Sequence, residues 1–319
     1  MITVLTGGTG GAKFVDGLRQ IVPAEELTVI VNTGDDLLWW GLYVSPDVDS
    51  ITYILAGKLS QERGWGVKGD TFYCLQAMGQ LGQPIWFHAG DRDLATHILR
   101  SKLLSDGKTL AEVTAEISGR LGVKARILPM SNSRVETRIG TPIGELSFEE
   151  YFVQRWYQDP VESVHFAGAS DAEPAPGVME AIRNSEVVLL APSNPVTSIA
   201  PILAVPGIRE ALRESRARIA AVSPIVANAA VSGPAGILMQ SQGCEVSIAG
   251  VAEYYHDFLD LLVVDTRDAA AAEVLRGGGT RVHCTPSIMR TNDDRVALAQ
   301  AALKAALQSP ASSAASDHP

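Results

Sequence analysis

The chain opens on a short apolar run, Met1-Ile2-Thr3-Val4-Leu5-Thr6, and passes at once into Gly7-Gly8-Thr9-Gly10-Gly11-Ala12-Lys13-Phe14. Strand, glycine-rich turn and helix in that order form an anion-binding start, because glycine tolerates positive φ, carries no Cβ, and lets backbone N–H groups close on a phosphate at a helix N-terminus. Lys13 is expected in the first turn of that helix as a second positive charge. A Walker A loop requires Ser or Thr after the lysine, and Phe14 stands there. A dinucleotide loop requires a third glycine where Lys13 stands and an acidic residue after the next strand, where Asn32 stands. A bare turn without ligand is the plain alternative. Four glycines in five positions exceed what a turn needs, given the chain entropy each costs, so the loop reads as a phosphate site.

Other features narrow the class. With 319 residues and 46% hydrophobic content, the chain is long enough for one large α/β domain, with or without a subdomain. A net charge of −10 without basic runs argues against non-specific nucleic-acid binding. Cys74, Cys244 and Cys284 stand far apart, which excludes a Cys-x-x-Cys motif and gives no disulfide framework. No charged leader precedes the first strand and no apolar stretch reaches the roughly 18 residues of a membrane span, so the reading is a soluble cytoplasmic protein.

Apolar periodicity predicts a Rossmann-like, mainly parallel sheet. Strands are expected at Leu27 to Val31, Pro84 to Phe87, Val187 to Leu190, Ile219 to Val222, Phe258 to Val264 and Arg281 to Cys284. Helices are expected after the glycine loop, after a cap at Asp49 or Ser50, after a cap at Asp70, over Leu94 to Leu104, after the Thr109/Glu112 capping box, near Val178 to Arg183 and Ile208 to Glu214, and over Arg295 to Leu307. Between 124 and 168 successive β-prone pieces, beginning with Ala125 to Leu128, read as an inserted, partly antiparallel α+β subdomain. The nucleotide-binding core would then comprise 1–123 and 169–308, with a Ser/Ala/Pro-rich disordered tail from 309 to 319.

Five apolar runs end in polar, Gly- or Pro-bearing segments: Thr6 to Gly11, Asn32 to Asp36, His88 to Asp93, Ala191 to Pro195, and Ser223-Pro224. In an open parallel sheet such ends share one edge, where ligands bind. Asp35, Asp36, Asp47 and Asp49 would repel a phosphate there unless a cation intervened, and Mg²⁺ is the natural bridge. Helix caps and turn residues explain Asp36 and Asp47 equally well, whereas Asp35 and Asp49 are taken as metal or catalytic residues. Asp93 can cap a helix and Arg92 can pair with Asp91. The density of Asp, Arg, Thr and His from Asp91 to His97 also suits a polar ring or phosphate. His88, His97 and His165 lack metal spacing and read as core or surface residues. Trp39, Trp40 and Trp65 read as packing residues, one of which can stack on a planar ligand.

Six motifs in order carry a family resemblance: Gly7-Gly8-Thr9-Gly10-Gly11-Ala12-Lys13, Asn32-Thr33-Gly34-Asp35-Asp36, Pro46-Asp47-Val48-Asp49, Arg63-Gly64-Trp65-Gly66, Gly90-Asp91-Arg92-Asp93-Leu94-Ala95-Thr96-His97 and Ala191-Pro192-Ser193-Asn194-Pro195. Together they resemble the 2-phospho-L-lactate transferase family (CofD/FbiA) of deazaflavin coenzyme F-420 biosynthesis, from Met1 to about Met289. The resemblance implies that the terminal ribityl hydroxyl of the deazaflavin FO attacks the phosphorus bearing the lactyl or enolpyruvyl group of a guanosine diphosphate ester, releasing GMP. It implies that Gly8, Thr9, Gly10 and Gly11, with Lys13, hold the diphosphate, and that Ser193 and Asn194 lie on the guanosine side. Asp49 and Asp35 would hold Mg²⁺ or orient the hydroxyl, and Thr33, Asp36, Asp91, Arg92 and Thr96 would line the FO pocket. A homodimer is also implied. The competing reading is a YvcK-like regulator that binds nucleotide sugars without catalysis. The Gly90 to His97 segment and the Asp47/Asp49 turn favour the transferase, and Asn32 disfavours an NAD-dependent dehydrogenase. Which group is transferred, phospholactate, phosphoenolpyruvate or phosphoglycerate, is not written in the sequence.

Overall fold

A computed structural model describes residues 1–308, so the tail expected from 309 lies outside the described residues. Seven parallel strands form the central sheet in the spatial order Val282–Cys284, Leu261–Val264, Arg218–Val222, Val187–Leu190, Ile2–Thr6, Leu27–Val31, Arg126–Pro129. In chain order the sheet runs outward from Ile2–Thr6 through its second and third strands on one side and its fourth to seventh on the other. This is the doubly wound arrangement, and its switch point lies between Ile2–Thr6 and Val187–Leu190.

The apolar strands bury both faces, as parallel sheets do. Leu5, Ile30, Val188, Leu190, Ile219 and Ala221 enter one core cluster, whereas Val4, Val29, Val187, Leu189, Ala220 and Val222 enter the other. Phe14 and Leu18 of the Gly8–Leu18 helix, Val48 and Ile51 of the Pro46–Leu55 helix and Leu298 of the Asn292–Gln308 helix cover the second face. The closing helix approaches the first so closely that a Cβ on Gly17 would lie 2.2 Å from the carbonyl oxygen of Arg295. Beside that contact Arg295 Nη1 donates to the buried Asp16 carboxylate at 2.7 Å.

Four local expectations need correction. Pro84 to Phe87 is not a strand; Trp86 and Phe87 turn instead onto the buried Trp39, at 4.8 and 5.8 Å between ring centroids. Trp39 belongs to a small hairpin, Leu37–Trp39 with Leu42–Val44, whose turn residues Trp40 and Gly41 both have positive φ, as a tight hairpin turn requires. Arg126–Pro129 pairs in parallel with Leu27–Val31 as an edge of the central sheet, so the antiparallel unit begins after it. That unit comprises Glu136–Thr141, Gly144–Ser147 and Ser163–Ala167, and its Val135, Ile139 and Tyr151 join the same core cluster as Leu5. The helix expected after Asp49 or Ser50 starts earlier, with Pro46 fixing the first helical φ.

The fourth correction concerns Asp70, which caps a different helix from the one that follows it. The Asp70 carboxylate accepts from the backbone N–H groups of Arg92 and Asp93, at 2.8 and 3.1 Å, at the start of the Asp91–Ser105 helix. In return the Asp91 carboxylate accepts from the N–H groups of Tyr73 and Cys74, at 3.1 and 2.9 Å, at the start of the Tyr73–Gln80 helix. Each aspartate satisfies orphan donors of the other's helix, which fastens the two N-termini together. The Thr109/Glu112 capping box forms as expected.

Candidate active site

The glycine loop ends the first strand at the switch point, facing the Ala191 to Pro195 segment that ends the neighbouring strand. Contact between them is tight. A Cβ on Gly10 would lie 2.5 Å from the Pro192 carbonyl oxygen, and one on Gly11 would overlap the side chains of Thr6 and Ser193. Only Gly8 in the loop has positive φ, at 68°. Gly7, Gly10 and Gly11 therefore answer to the close approach of neighbouring side chains and, at Gly10, of the Pro192 backbone, rather than to turn geometry.

A helix start leaves its first N–H groups without intrahelical acceptors. Ser193 Oγ accepts from Gly7 N–H at 3.3 Å and donates to the Gly7 carbonyl at 2.7 Å, tying the two loops together. Asp47 Oδ1 accepts from Gly8 N–H at 2.7 Å. No side chain caps the amides of Thr9 and Gly10. Lys13 lies a full turn further along than expected, half-buried in the second turn.

Asn32 organises the neighbouring carboxylates. Its amide nitrogen donates to Asp35 Oδ2 at 2.9 Å and to Asp47 Oδ2 at 3.0 Å, so the side chain that excludes the dinucleotide reading instead joins two acids beside the glycine loop. Asp35, Asp36, Asp47 and Glu149 are all buried. Burial raises the Asp35 carboxyl well above its ordinary range, and the charges of Asp47 and Glu149 add to the effect. The same desolvation raises Asp36 to about 8, Asp47 to about 6 and Glu149 to about 8, partly offset at Asp47 by Gly8 N–H and Asn32. Asp36 is held from beneath by Ser45 Oγ at 2.6 Å and Tyr43 Oη at 2.8 Å. The Thr137 hydroxyl is near enough to lower the Asp35 carboxyl somewhat, but no hydrogen bond of ordinary geometry forms at the buried Asp35 Oδ1, nor at the buried hydroxyl of Thr33.

Asp49 belongs to a second network, which meets the first where Arg100 and Asp49 act on Asp36. Both of its oxygens accept from the buried Arg100, through Nη1 at 3.0 Å and through Nη2. His97 lies between two acids, with Nδ1 3.5 Å from Asp49 and Nε2 3.6 Å from Asp93. Tyr53 Oη joins Asp93 and Thr96, at 2.7 Å from each. Burial pushes the Asp93 carboxyl up, but His97, Tyr53 and Arg100 outweigh it and hold the group below its ordinary range. Asp49, Asp93 and His97 offer ligand atoms within 4.8 Å of one another, the one such triad among the described residues. The Arg100 guanidinium already supplies the positive charge there.

Of the residues expected at the deazaflavin end, Asp91 spends both oxygens on capping, and Arg92 projects its exposed guanidinium beside the Lys68 carbonyl at 3.2 Å. Asn194 Oδ1 caps the Pro195–Ile199 turn through Val196 N–H at 3.0 Å. The segment 60–70 lies over the first turn, since a Cβ on Gly64 would touch the Thr9 methyl group at 4.0 Å. Within that segment Arg63 stacks between Trp65 and Phe72, at 5.4 and 5.0 Å from the ring centroids.

Sequence reasoning missed Arg100 and Glu149. Arg100 had a signal, because Asp93, His97 and Arg100 recur at i, i+4 and i+7 and so share one helix face. Glu149 had none; Glu149-Glu150 after a strand reads as a solvated turn, and Glu150 is indeed a local cap on Ser147.

Comparisons with known proteins place the chain in a family. A family profile described as 2-phospho-L-lactate transferase CofD matches residues 2–293. The chain is similar to a 2-phospho-L-lactate transferase of Methanosarcina mazei, 42% identical over 302 residues that cover 95% of this chain and 99% of the relative. It is similar to a phosphoenolpyruvate transferase of Streptomyces griseus, 43% identical over 311 residues that cover 96% and 98% of the two chains. In structure it resembles a UPF0052-family protein from Bacillus halodurans, with a TM-score of 0.61 at 18% identity, covering 95% of this chain and 99% of that one; this likeness bears on the fold alone. With a profile match across almost its whole described length and relatives above 40% identity, the chain belongs to the 2-phospho-L-lactate transferase CofD family.

Proposed function

We propose that the protein transfers a phospholactyl or phosphoenolpyruvyl group from a guanosine diphosphate ester to the terminal ribityl hydroxyl of FO, in coenzyme F-420 biosynthesis. The hydroxyl oxygen bonds to the phosphorus bearing the hydroxyacid group as the phosphoanhydride bond to GMP breaks, and the hydroxyl gives up its proton. Such a reaction needs alignment and charge neutralisation rather than a covalent nucleophile.

One observation carries the reading. At the switch point, a glycine-rich helix start whose Thr9 and Gly10 amides take no side-chain cap lies beside Asp47 and the buried carboxyls that repel it. A diphosphate suits the amides. The carboxyls suit Mg²⁺, since burial and mutual repulsion leave them poorly ionised until a cation joins them. The donor set fits: Asp35 offers a buried oxygen without a partner, whereas Asp49 comes already balanced by Arg100. Asp35 is thus the favoured ligand, with Asp49 second. When bound, Mg²⁺ would neutralise charge developing on the phosphoryl oxygens. Lys13 adds positive charge from the second turn, and Arg92 serves the FO end together with Thr33, Asp36 and Thr96. The nucleotide-sugar regulator reading has no support among the curated relatives, which are named as transferases. Among the described residues no helix is long and apolar enough to cross a membrane. We extend the reading to a cytoplasmic homodimer.

The test is to incubate the protein with FO, Mg²⁺ and each guanosine diphosphate ester in turn and to identify products by mass spectrometry. A product equal to FO plus the phospho-hydroxyacid group, formed together with GMP, is expected for at least one ester. Failure with every ester would sink the activity. On the same samples, Asn194→Ala should weaken GDP by about 1 to 3 kcal/mol while sparing FO, and Arg92→Ala should do the reverse. Parallel loss of both ligands in both variants would overturn the two-ended site.

A further inference from the structure

Residues 58–70 close on themselves as a loop. Lys68 N–H donates to the Lys58 carbonyl at 2.7 Å and Leu59 bridges Val67 in antiparallel, which ties the base. Within it Ser60 N–H donates to the Gly66 carbonyl at 3.0 Å, and Gly64 N–H to the Ser60 carbonyl at 2.9 Å. The glycines mark where the loop lies. A Cβ on Gly64 would be 4.0 Å from the Thr9 methyl group, one on Gly66 would be 3.9 Å from the Asp93 carboxylate, and one on Gly69 would be 3.8 Å from the Arg92 guanidinium. The loop therefore spans from the glycine-rich helix start to the helix that carries Arg92, the two ends of the crevice.

Arg63 stands at the start of this span, and the protein holds its guanidinium without an anion. Trp65 and Phe72, edge to face with ring centroids 6.4 Å apart, both lie against it and fix its plane through cation–π contact. Nη2 donates to the Val67 carbonyl at 3.2 Å, while the buried Nε meets no acceptor. Among the described residues no carboxylate pairs with Arg63, whereas Arg100 is taken by Asp49, Arg295 by Asp16 and Arg134 by Glu136. A buried N–H without an acceptor is costly, and a guanidinium already held in one plane loses little freedom on binding. The side chain is thus arranged for an anion that a ligand brings.

On the transferase reading, upon which this step rests, the donor ester brings two kinds of anion. Its diphosphate is served by the loop amides and Lys13. Its lactyl, enolpyruvyl or glyceryl group carries a carboxylate as well, which the buried acids around Asp35 repel and a fork of N–H donors suits. We propose that Arg63 binds this carboxylate, and that the protein thereby selects acidic esters of guanosine diphosphate over neutral ones. The carboxylate is common to all the candidate groups, so Arg63 sets the class of substrate and not the member.

Calorimetric titration of the full chain tests this with GDP, its lactyl and enolpyruvyl β-esters, and its ethyl β-ester, which lacks the carboxylate. The wild type should bind at least one acidic ester about a hundredfold more tightly than the ethyl ester. Arg63→Met, which keeps an apolar stem between the two rings, should lose that preference and leave GDP and the ethyl ester nearly unchanged. Arg63→Lys keeps the charge but not the fork, so its preference should fall between the two, and it supplies the comparison should Arg63→Met fail to fold by circular dichroism. A wild type without the preference, or an Arg63→Met protein that retains it, would overturn the proposal. So would an equal loss of GDP, ethyl ester and acidic esters in a folded Arg63→Met, which would make Arg63 a phosphate contact. Transfer to FO is read separately on the wild type. Transfer together with a preference that survives in Arg63→Met would leave the reaction standing and remove Arg63 from it. A preference lost in Arg63→Met without transfer by the wild type would leave the carboxylate site standing and remove the reaction.

Discussion

Two groups of buried acids lie side by side in this protein, and they are treated in opposite ways. Asp49 and Asp93 are provided for from within: Arg100 bonds both oxygens of Asp49, and His97 and Tyr53 attend Asp93. Asp35, Asp36 and Asp47 receive hydroxyls and amides, Arg100 reaches only Asp36 among the four, and burial with mutual repulsion lifts Asp35, Asp36, Asp47 and Glu149 above the ordinary range. An acid whose charge the protein meets is settled without a ligand, and one whose charge is less fully met gains more from a bound cation, which is the ground for proposing Asp35 ahead of Asp49 as the Mg²⁺ ligand.

The strongest way to break the comparison is to remove the internal cation. Arg100→Met should strand the Asp49 charge in the interior and cost about 3 to 5 kcal/mol of stability in urea denaturation, with or without Mg²⁺. A loss below about 1 kcal/mol would mean that the pair is solvated and that the contrast is false.

Next in size is the response to the missing cation. Mg²⁺ at a hundredfold excess over its dissociation constant should stabilise the wild type by about 2.7 kcal/mol. Asp35→Asn should abolish most of that gain, whereas Asp93→Asn should keep it despite starting from a less stable protein. If Asp93→Asn rather than Asp35→Asn lost the response, the ion would belong with the His97 triad and the two groups would exchange roles.

The smallest effect is a slope. Glu149 has a folded-state value near 8, above its ordinary 4.5, so its contribution to stability is complete below 4.5 and is lost as pH rises toward 8. Metal-free wild type should therefore lose stability across that window. Glu149→Gln should flatten the decline by at most about 1.4 kcal/mol per pH unit, read from denaturation midpoints at successive pH values. An unchanged slope would remove Glu149 from the group.

Much of the framework was legible because its signals are local. Leu27 to Val31 and Val187 to Leu190 are unbroken apolar runs and become strands with those bounds, and Thr109 with Glu112 forms the capping box that its spacing announces. The convergence of the glycine loop with Ala191 to Pro195 followed from strand-end logic and is borne out by the Ser193–Gly7 bonds. The misread parts depend on partners distant in sequence. Asp70 looks like a cap for the residues that follow it and Asp91 like a partner for Arg92, and only the fold reveals that the two aspartates exchange helices. Gly10 and Gly11 look like phosphate cradles, yet their missing side chains make room for Pro192, Thr6 and Ser193. Substitution at Gly10 consequently strains the fold before it reaches any ligand. Pro84 to Phe87 has the composition of a strand, and its aromatic rings found Trp39 before its backbone found a neighbour.

The position of the first strand has a consequence for how the molecule is made. Ile2–Thr6 leaves the ribosome long before one of its two flanking strands, Val187–Leu190, and before Asn292–Gln308, which covers the helix after it. At translation rates of about 5 to 20 residues per second, the strand and its glycine loop wait on the order of ten seconds or more for the far wall of the crevice, and longer for the final helix. Synthesis therefore passes through a long interval in which this apolar strand is only half-paired, a natural client for the chaperones that shield nascent chains. Stalling or truncation upstream of residue 187 would leave the loop's sequence intact and its crevice unbuilt.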